Sequence, residues 1–304
     1  MNIFRIALFG EMRVTHDDWI TEVKITRYNR MILAYLLLQR YKVHSREALA
    51  DIFWGEFSQE KAHASLNTAL WKLKKVLEPA GIPAGTYLKL TNSGGVSFNR
   101  ESPYWLDVEI FEDAINGILA SSLESVEETN VVDLEKALKL YKGDLLEGCY
   151  KDWALRERER LHTLYLKGLI FLLQFYRMRR TYEKAISYGQ KILEWDPLRE
   201  EIHREIMKLY VVNGQRPLAL RQYEVCRSML NKELGISPSK DTRLLHTQIL
   251  GEGHAEDSFM VPNEQIDFEK LVLQLGEASQ AIDWAKEQIH QLLKIIVNYS
   301  QHTD

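Results

Sequence analysis

Between residues 58 and 78 the apolar positions are Ala62, Leu66, Ala69, Leu70, Leu73 and Leu77. Steps of three and four put them on one stripe of an α-helix, so a helix is predicted over 58–78. Pro79, Gly81, Pro83 and Gly85 stop it. Tyr87-Leu88-Lys89-Leu90 and Val96-Ser97-Phe98 then flank Thr91-Asn92-Ser93-Gly94-Gly95, a hairpin with glycines at its turn. Upstream, 3–14 alternates apolar and polar residues around Gly10-Glu11, which predicts two short strands, and 21–26 is a weaker third. A helix is predicted over 28–40, a second after Ser45 as its N-cap, and Trp54-Gly55-Glu56 turns the chain into the helix over 58–78. Glu101-Ser102-Pro103 closes this region.

From Trp105 onward the pattern is helical: 107–120, then a polar, acidic loop over 121–130, a helix over 131–141, a turn at Asp144-Leu145-Leu146-Glu147-Gly148, and a long helix over 154–179. A repeat of 34 residues follows, in which Leu172, Leu173, Tyr176, Ala185 and Ile186 recur as Ile206, Met207, Tyr210, Ala219 and Leu220. That period, with a small alanine early in the second helix and Pro197 or Pro238 after it, is the tetratricopeptide pattern. With Leu134, Ala137, Leu138 and Tyr141 as an earlier second helix, it gives roughly three repeats of a short solenoid. An irregular helical bundle is the alternative.

After a linker over 251–262, Phe268, Leu271, Leu275, Ala278, Ile282, Ala285, Ile289, Leu292, Ile296 and Tyr299 alternate by three and four. This predicts a C-terminal helix within 263–304 with a coiled-coil seam. Phe268, Leu271, Leu275, Ile282, Ile289, Leu292 and Ile296 are its candidate dimerisation residues, and folding back to cap the last repeat is the alternative. The fold class is therefore mainly α. It has an α+β head over 1–103, with short N-terminal strands and a C-terminal hairpin, an all-α repeat region over 104–250, and the long last helix.

Charge sharpens this picture. The chain's formal net charge is −4, but residues 1–100 sum to +5 and 101–304 to −9. Three helices followed by a hairpin form a winged helix, whose third helix fits the major groove and whose hairpin tip reaches the backbone. A basic head on an acidic body suits phosphate neutralisation by the head alone. Off the apolar stripe, Ser65, Asn67, Thr68, Trp71, Lys72, Lys74 and Lys75 are the candidate DNA-binding residues on the helix, and Lys89, Asn92 and Ser93 on the wing.

The head resembles the OmpR-like winged helix that opens bacterial activators of the Streptomyces antibiotic regulatory protein type. The matching stretches run from Ile6-Ala7-Leu8-Phe9-Gly10 through Arg30-Met31-Ile32-Leu33-Ala34-Tyr35-Leu36-Leu37-Leu38 to helix two, Val43-His44-Ser45-Arg46-Glu47-Ala48-Leu49-Ala50-Asp51-Ile52-Phe53-Trp54. They end in Ala64-Ser65-Leu66-Asn67-Thr68-Ala69-Leu70-Trp71-Lys72-Leu73-Lys74-Lys75-Val76-Leu77. Residues 104–250 resemble the bacterial transcriptional activation domain that follows in that family. The resemblance implies double-stranded promoter DNA and RNA polymerase as partners. Lysines stand where arginines are common in the family's third helix. A lysine lacks the planar fork that reads guanine, so Asn67, Thr68 and Trp71 are expected to carry more of the specificity.

Nothing points to an enzyme. Gly251-Glu252-Gly253 lacks the strand and helix a phosphate loop needs, the histidines have no metal-ligand spacing, and no cofactor is implied. Isolated Cys149 and Cys226, charged residues near the start and no membrane-length apolar run suggest a cytoplasmic bacterial protein, nucleoid-associated when bound. Two readings remain: a sequence-specific transcriptional activator, and a helical-repeat interaction module whose winged helix contacts protein instead of DNA.

Overall fold

Phe4, Ile6 and Val14 are buried while Arg5, Arg13 and Thr15 between them are exposed, the period-two pattern of half-buried strands. The structure, a computed structural model, describes residues 3–16, 25–91 and 94–251. Strands β1 (Phe4–Ala7) and β2 (Arg13–His16) lead into helices α1 (Arg27–Leu38), α2 (Arg46–Trp54) and α3 (Gln59–Leu77). Strands β3 (Leu88–Leu90), β4 (Val96–Phe98) and β5 (Tyr104–Leu106) follow. Seven further helices complete the described chain: α4 (Asp107–Leu119), α5 (Glu128–Leu138), α6 (Asp152–Met178), α7 (Tyr182–Trp195), α8 (Glu200–Val212), α9 (Arg216–Leu234) and α10 (Lys240–Gly251).

Of the weaker strand expected over 21–26, residues 21–24 lie outside the described residues, and Ile25 and Thr26 form no strand. Among the described residues the sheet of β1 and β2 has another third strand. It is β5, parallel to β1 with Ile6 opposite Leu106, in the order β2-β1-β5. A three-residue strand is too short to display alternation, and its partner lies far away in sequence. The chain after Pro103 therefore first completes the sheet of the head. By packing, the molecule divides into two units, Met1–Gly168 and Leu169 onward.

Inside the first unit, ion pairs join α1 to the helices that follow the head. The Arg40 guanidinium, its side chain only 1% exposed, donates to Glu109 at 3.0 Å and to Glu112 at 2.7 Å. Arg160 also bonds Glu112, and Gln39 bonds Glu157. Burying Arg40 is tolerable only because both carboxylates stand opposite it.

In the second unit the 34-residue period is repeated in the backbone itself. The Thr181 N–H donates to the Tyr176 carbonyl at 2.9 Å, and Gln215 to Tyr210 at 2.7 Å. Arg180 and Gly214, also 34 apart, both take positive φ, +56° and +71°. Ala185 and Ala219 are fully buried. A Cβ on Gly189 would come within 2.8 Å of Ile206 Cγ1, so α7 and α8 approach more closely than any larger residue there would allow. Two helix pairs, the end of α6 with α7 and α8 with α9, form repeats. Met207, Ala219, Tyr223, Leu245 and Ile249 build the core that α10 closes. Helices α4 and α5 form a further pair in the first unit. Gly251 ends α10, and the rest of the linker over 251–262 and the helix expected over 263–304 lie outside the described residues.

Candidate nucleic-acid interface

Ala62, Leu66, Ala69, Leu70, Leu73 and Leu77 are the buried residues of α3, the stripe read from the sequence. Their burial fixes what the helix shows to solvent. At 100° per residue, the opposite face carries Asn67, Trp71, Ala64, Lys75, Thr68, Lys61 and Lys72, all exposed. Trp71 is 57% exposed, and the Lys75 ammonium sits 3.9 Å from its ring centroid, one turn further on. The pair is a flat apolar surface with a cation over it. Ala64, near the middle of the face, leaves the helix backbone accessible.

Two supports set this face. Ser45 caps α2, its hydroxyl accepting from the Ala48 N–H at 3.1 Å, as expected for an N-cap serine. The Glu78 side chain, just past the end of α3, is buried and accepts backbone N–H groups of Gly85, Tyr87 and Leu88 at 2.9–3.0 Å. One carboxylate thus ties the start of the wing to the end of α3. Opposite it, His44 and Val96 exchange backbone hydrogen bonds at 2.8 and 2.9 Å, so the segment before α2 pairs with β4. Burial holds the half-buried His44 imidazole below its usual pKa, so it adds no positive charge at neutral pH.

The candidate residues fall into three groups. Asn67, Thr68, Trp71, Lys72 and Lys75 share the open face of α3. Ser65 and Lys74 flank it, half-buried, and Lys74 lies 4.0 Å from Glu78. On the wing, Lys89 is exposed and sits 3.3 Å from Glu101. Asn92 and Ser93 lie outside the described residues, between Thr91, whose hydroxyl accepts from the Gly95 N–H, and Gly94, at φ +86°. One residue was missed. Arg46, at the start of α2, donates through Nη1 to Asn67 Oδ1 at 2.5 Å. Its place directly after the Ser45 cap, at the end of α2 nearest α3's polar face, was the available signal.

The winged-helix head and helical repeats, with residues 106–250 matching the bacterial transcriptional activator domain family, define a class. In sequence the chain is similar to bacterial transcriptional regulators. Among its relatives is the regulatory protein AfsR of Streptomyces coelicolor, 28% identical over 251 residues, which span 81% of this chain and 24% of AfsR. The transcriptional regulatory protein MoaR1 of Mycobacterium tuberculosis is 25% identical over 241 residues, 76% of this chain and 75% of MoaR1. The chain thus spans about a quarter of AfsR's length and three quarters of MoaR1's. Among solved structures, Mycobacterium tuberculosis EmbR, in complex with a low-affinity phosphopeptide, superposes with a TM-score of 0.63 at 20% identity, covering 93% of this chain and 72% of that one. That likeness is one of fold. No helix among the described residues is long and apolar enough to cross a membrane.

Proposed function

We propose that this protein is a sequence-specific DNA-binding transcriptional activator. In this reading α3 enters the major groove with Asn67, Thr68, Trp71, Lys72 and Lys75 toward the bases and phosphates. Ser65 and Lys74 flank the contact, and Lys89 with Asn92 and Ser93 meets the backbone from the wing. The observation that carries it is the open face of α3, where three lysines and an exposed tryptophan surround a small residue. The activator-domain match and the regulator relatives support recruitment of RNA polymerase, with the helical body contributing contact surface.

The test is binding of the full chain to duplex DNA over a salt series. A DNA reader loses affinity linearly on a log–log plot, with a slope set by its phosphate contacts. Affinity unchanged between about 50 and 200 mM salt would favour the protein-contact reading.

Residues 263–299 support a homodimer through Phe268, Leu271, Leu275, Ile282, Ile289, Leu292 and Ile296, a stripe whose large side chains each gain roughly 1.5–3 kcal/mol on burial. Two linked heads would hold paired half-sites at high effective concentration. Solution mass of the full chain against one ending at Gly251 decides this. Two monomers at tens of micromolar would leave the helix to cap the repeats.

A further inference from the structure

The contact between Arg46 and Asn67 constrains what the recognition helix can read, provided that α3 lies in the groove as proposed above. A guanidinium has donors only, so the atom Asn67 presents to Arg46 at 2.5 Å must be its carbonyl oxygen. That leaves the Asn67 amide nitrogen, with its two N–H groups, on the open face. Free asparagine reads adenine with both ends of its amide: the oxygen accepts from N6 and the nitrogen donates to N7. With a guanidinium on one of the oxygen's two lone pairs, a cation stands beside the accepting half of this pairing and weakens it, while the donating half is untouched. Among the described residues Arg46 makes no second hydrogen bond, so its remaining N–H groups also stay available as donors. Lys72 and Lys75, exposed on the same helix, add further donors. Thr68 contributes no donor, because its hydroxyl hydrogen is committed to the Ala64 carbonyl at 2.9 Å.

We propose that Asn67 and Arg46 act as one reading unit whose free groups are chiefly donors, and so selects guanine, whose major-groove edge offers the acceptors O6 and N7, over adenine. Asn67 is the specificity-determining residue and Arg46 its positioning partner. The sequence alone hides this. An asparagine on a recognition helix would be assigned to adenine, and lysines in place of arginines would suggest that no side chain reads guanine as a fork. Here the fork is assembled from two residues on two helices.

The experiment is binding-site selection from random duplexes with the full chain, repeated for Arg46→Met, Arg46→Lys and Asn67→Ala. In the parent, the base pair whose preference vanishes in Asn67→Ala is expected to be a guanine, favoured over adenine by about tenfold. Arg46→Met keeps the aliphatic stem and releases the Asn67 oxygen, so it should shift that one position toward adenine and leave the others unchanged. Arg46→Lys keeps a donor against the oxygen and should keep guanine. Loss of a phosphate contact on removing the Arg46 charge would lower affinity at all sequences equally, which relative preference does not register. Adenine at the Asn67-dependent position in the parent, or an unchanged preference in Arg46→Met, overturns the inference and leaves the DNA-binding reading standing. A parent that selects no sequence overturns both.

Discussion

The Asp107 carboxylate accepts the backbone N–H of Leu8 at 2.8 Å, across 99 residues of chain. It also accepts from Phe9 at 3.0 Å and from its own neighbour Val108 at 2.8 Å. Burial pushes this carboxyl's pKa up, and the backbone donors act against that rise. The first residue of α4 thus supplies acceptors that the end of β1 lacks. The loop after α5 does the same from the other side: Leu146 donates to the Leu8 carbonyl and Gly10 to that of Asp144.

A head cut at residue 103 loses β5 and Asp107 together. Each buried N–H left without a partner costs about 1–3 kcal/mol. A fragment 1–103 is therefore expected to melt well below a fragment 1–168, and Asp107→Ala in the full chain should cost about 3 kcal/mol. Thermal unfolding of these proteins checks this. Equal melting temperatures for the two fragments would mean that the head is self-sufficient.

Replacing Lys72 and Lys75 with glutamate in one chain should weaken binding to every duplex by about tenfold or more, and flatten the salt slope by about two. Both side chains are exposed, so the melting temperature should hold. Wild-type affinity in this variant at physiological salt would remove the open face of α3 from the interface.

Arg180 and Gly214 make the same left-handed turn one repeat apart. An L-residue pays about 1–2 kcal/mol there, and glycine returns part of that gain as unfolded-chain entropy. Arg180→Gly should therefore stabilise the protein by about 0.5–1 kcal/mol, and Gly214→Ala should destabilise it by about 1 kcal/mol. Chemical denaturation reads both. An Arg180→Gly variant less stable than the parent would show that the exposed arginine side chain does more than occupy the turn.

His203 is buried and neutral by its bonding: Nδ1 accepts from the Gln222 amide at 2.7 Å, and Nε2 faces the Pro197 carbonyl at 3.0 Å. Burial lowers its pKa, against the opposing pull of Glu200 and Glu201. Because the folded value lies below the unfolded one of about 6.5, the unfolded state takes up the proton first. Its stabilisation is complete above about pH 6.5 and is lost as pH falls from there toward the folded value. Protection of α8 amides against hydrogen exchange, relative to their intrinsic rates, should therefore fall as pH drops below about 6.5 in the parent, and less so in His203→Gln. An identical fall in both would place the titrating group elsewhere.

Local patterning was enough for what depends on neighbours along the chain. The buried stripe of α3, the Ser45 cap, the hairpin and the 34-residue repeat all appear where the spacing predicts. Helical and strand periods are short-range properties of a chain that must bury one face. The tripeptide β5, the Asp107 and Arg40 contacts and the clamp of Arg46 on Asn67 were not legible. Their partners lie from about twenty to about a hundred residues away, and no periodicity records which side chains a fold brings together. For the candidate interface, the residue types on α3 came from the sequence. Which hydrogen-bonding groups of that face are already engaged within the protein was decided only when α2 packed beside it, because such pairing depends on where the fold brings side chains together.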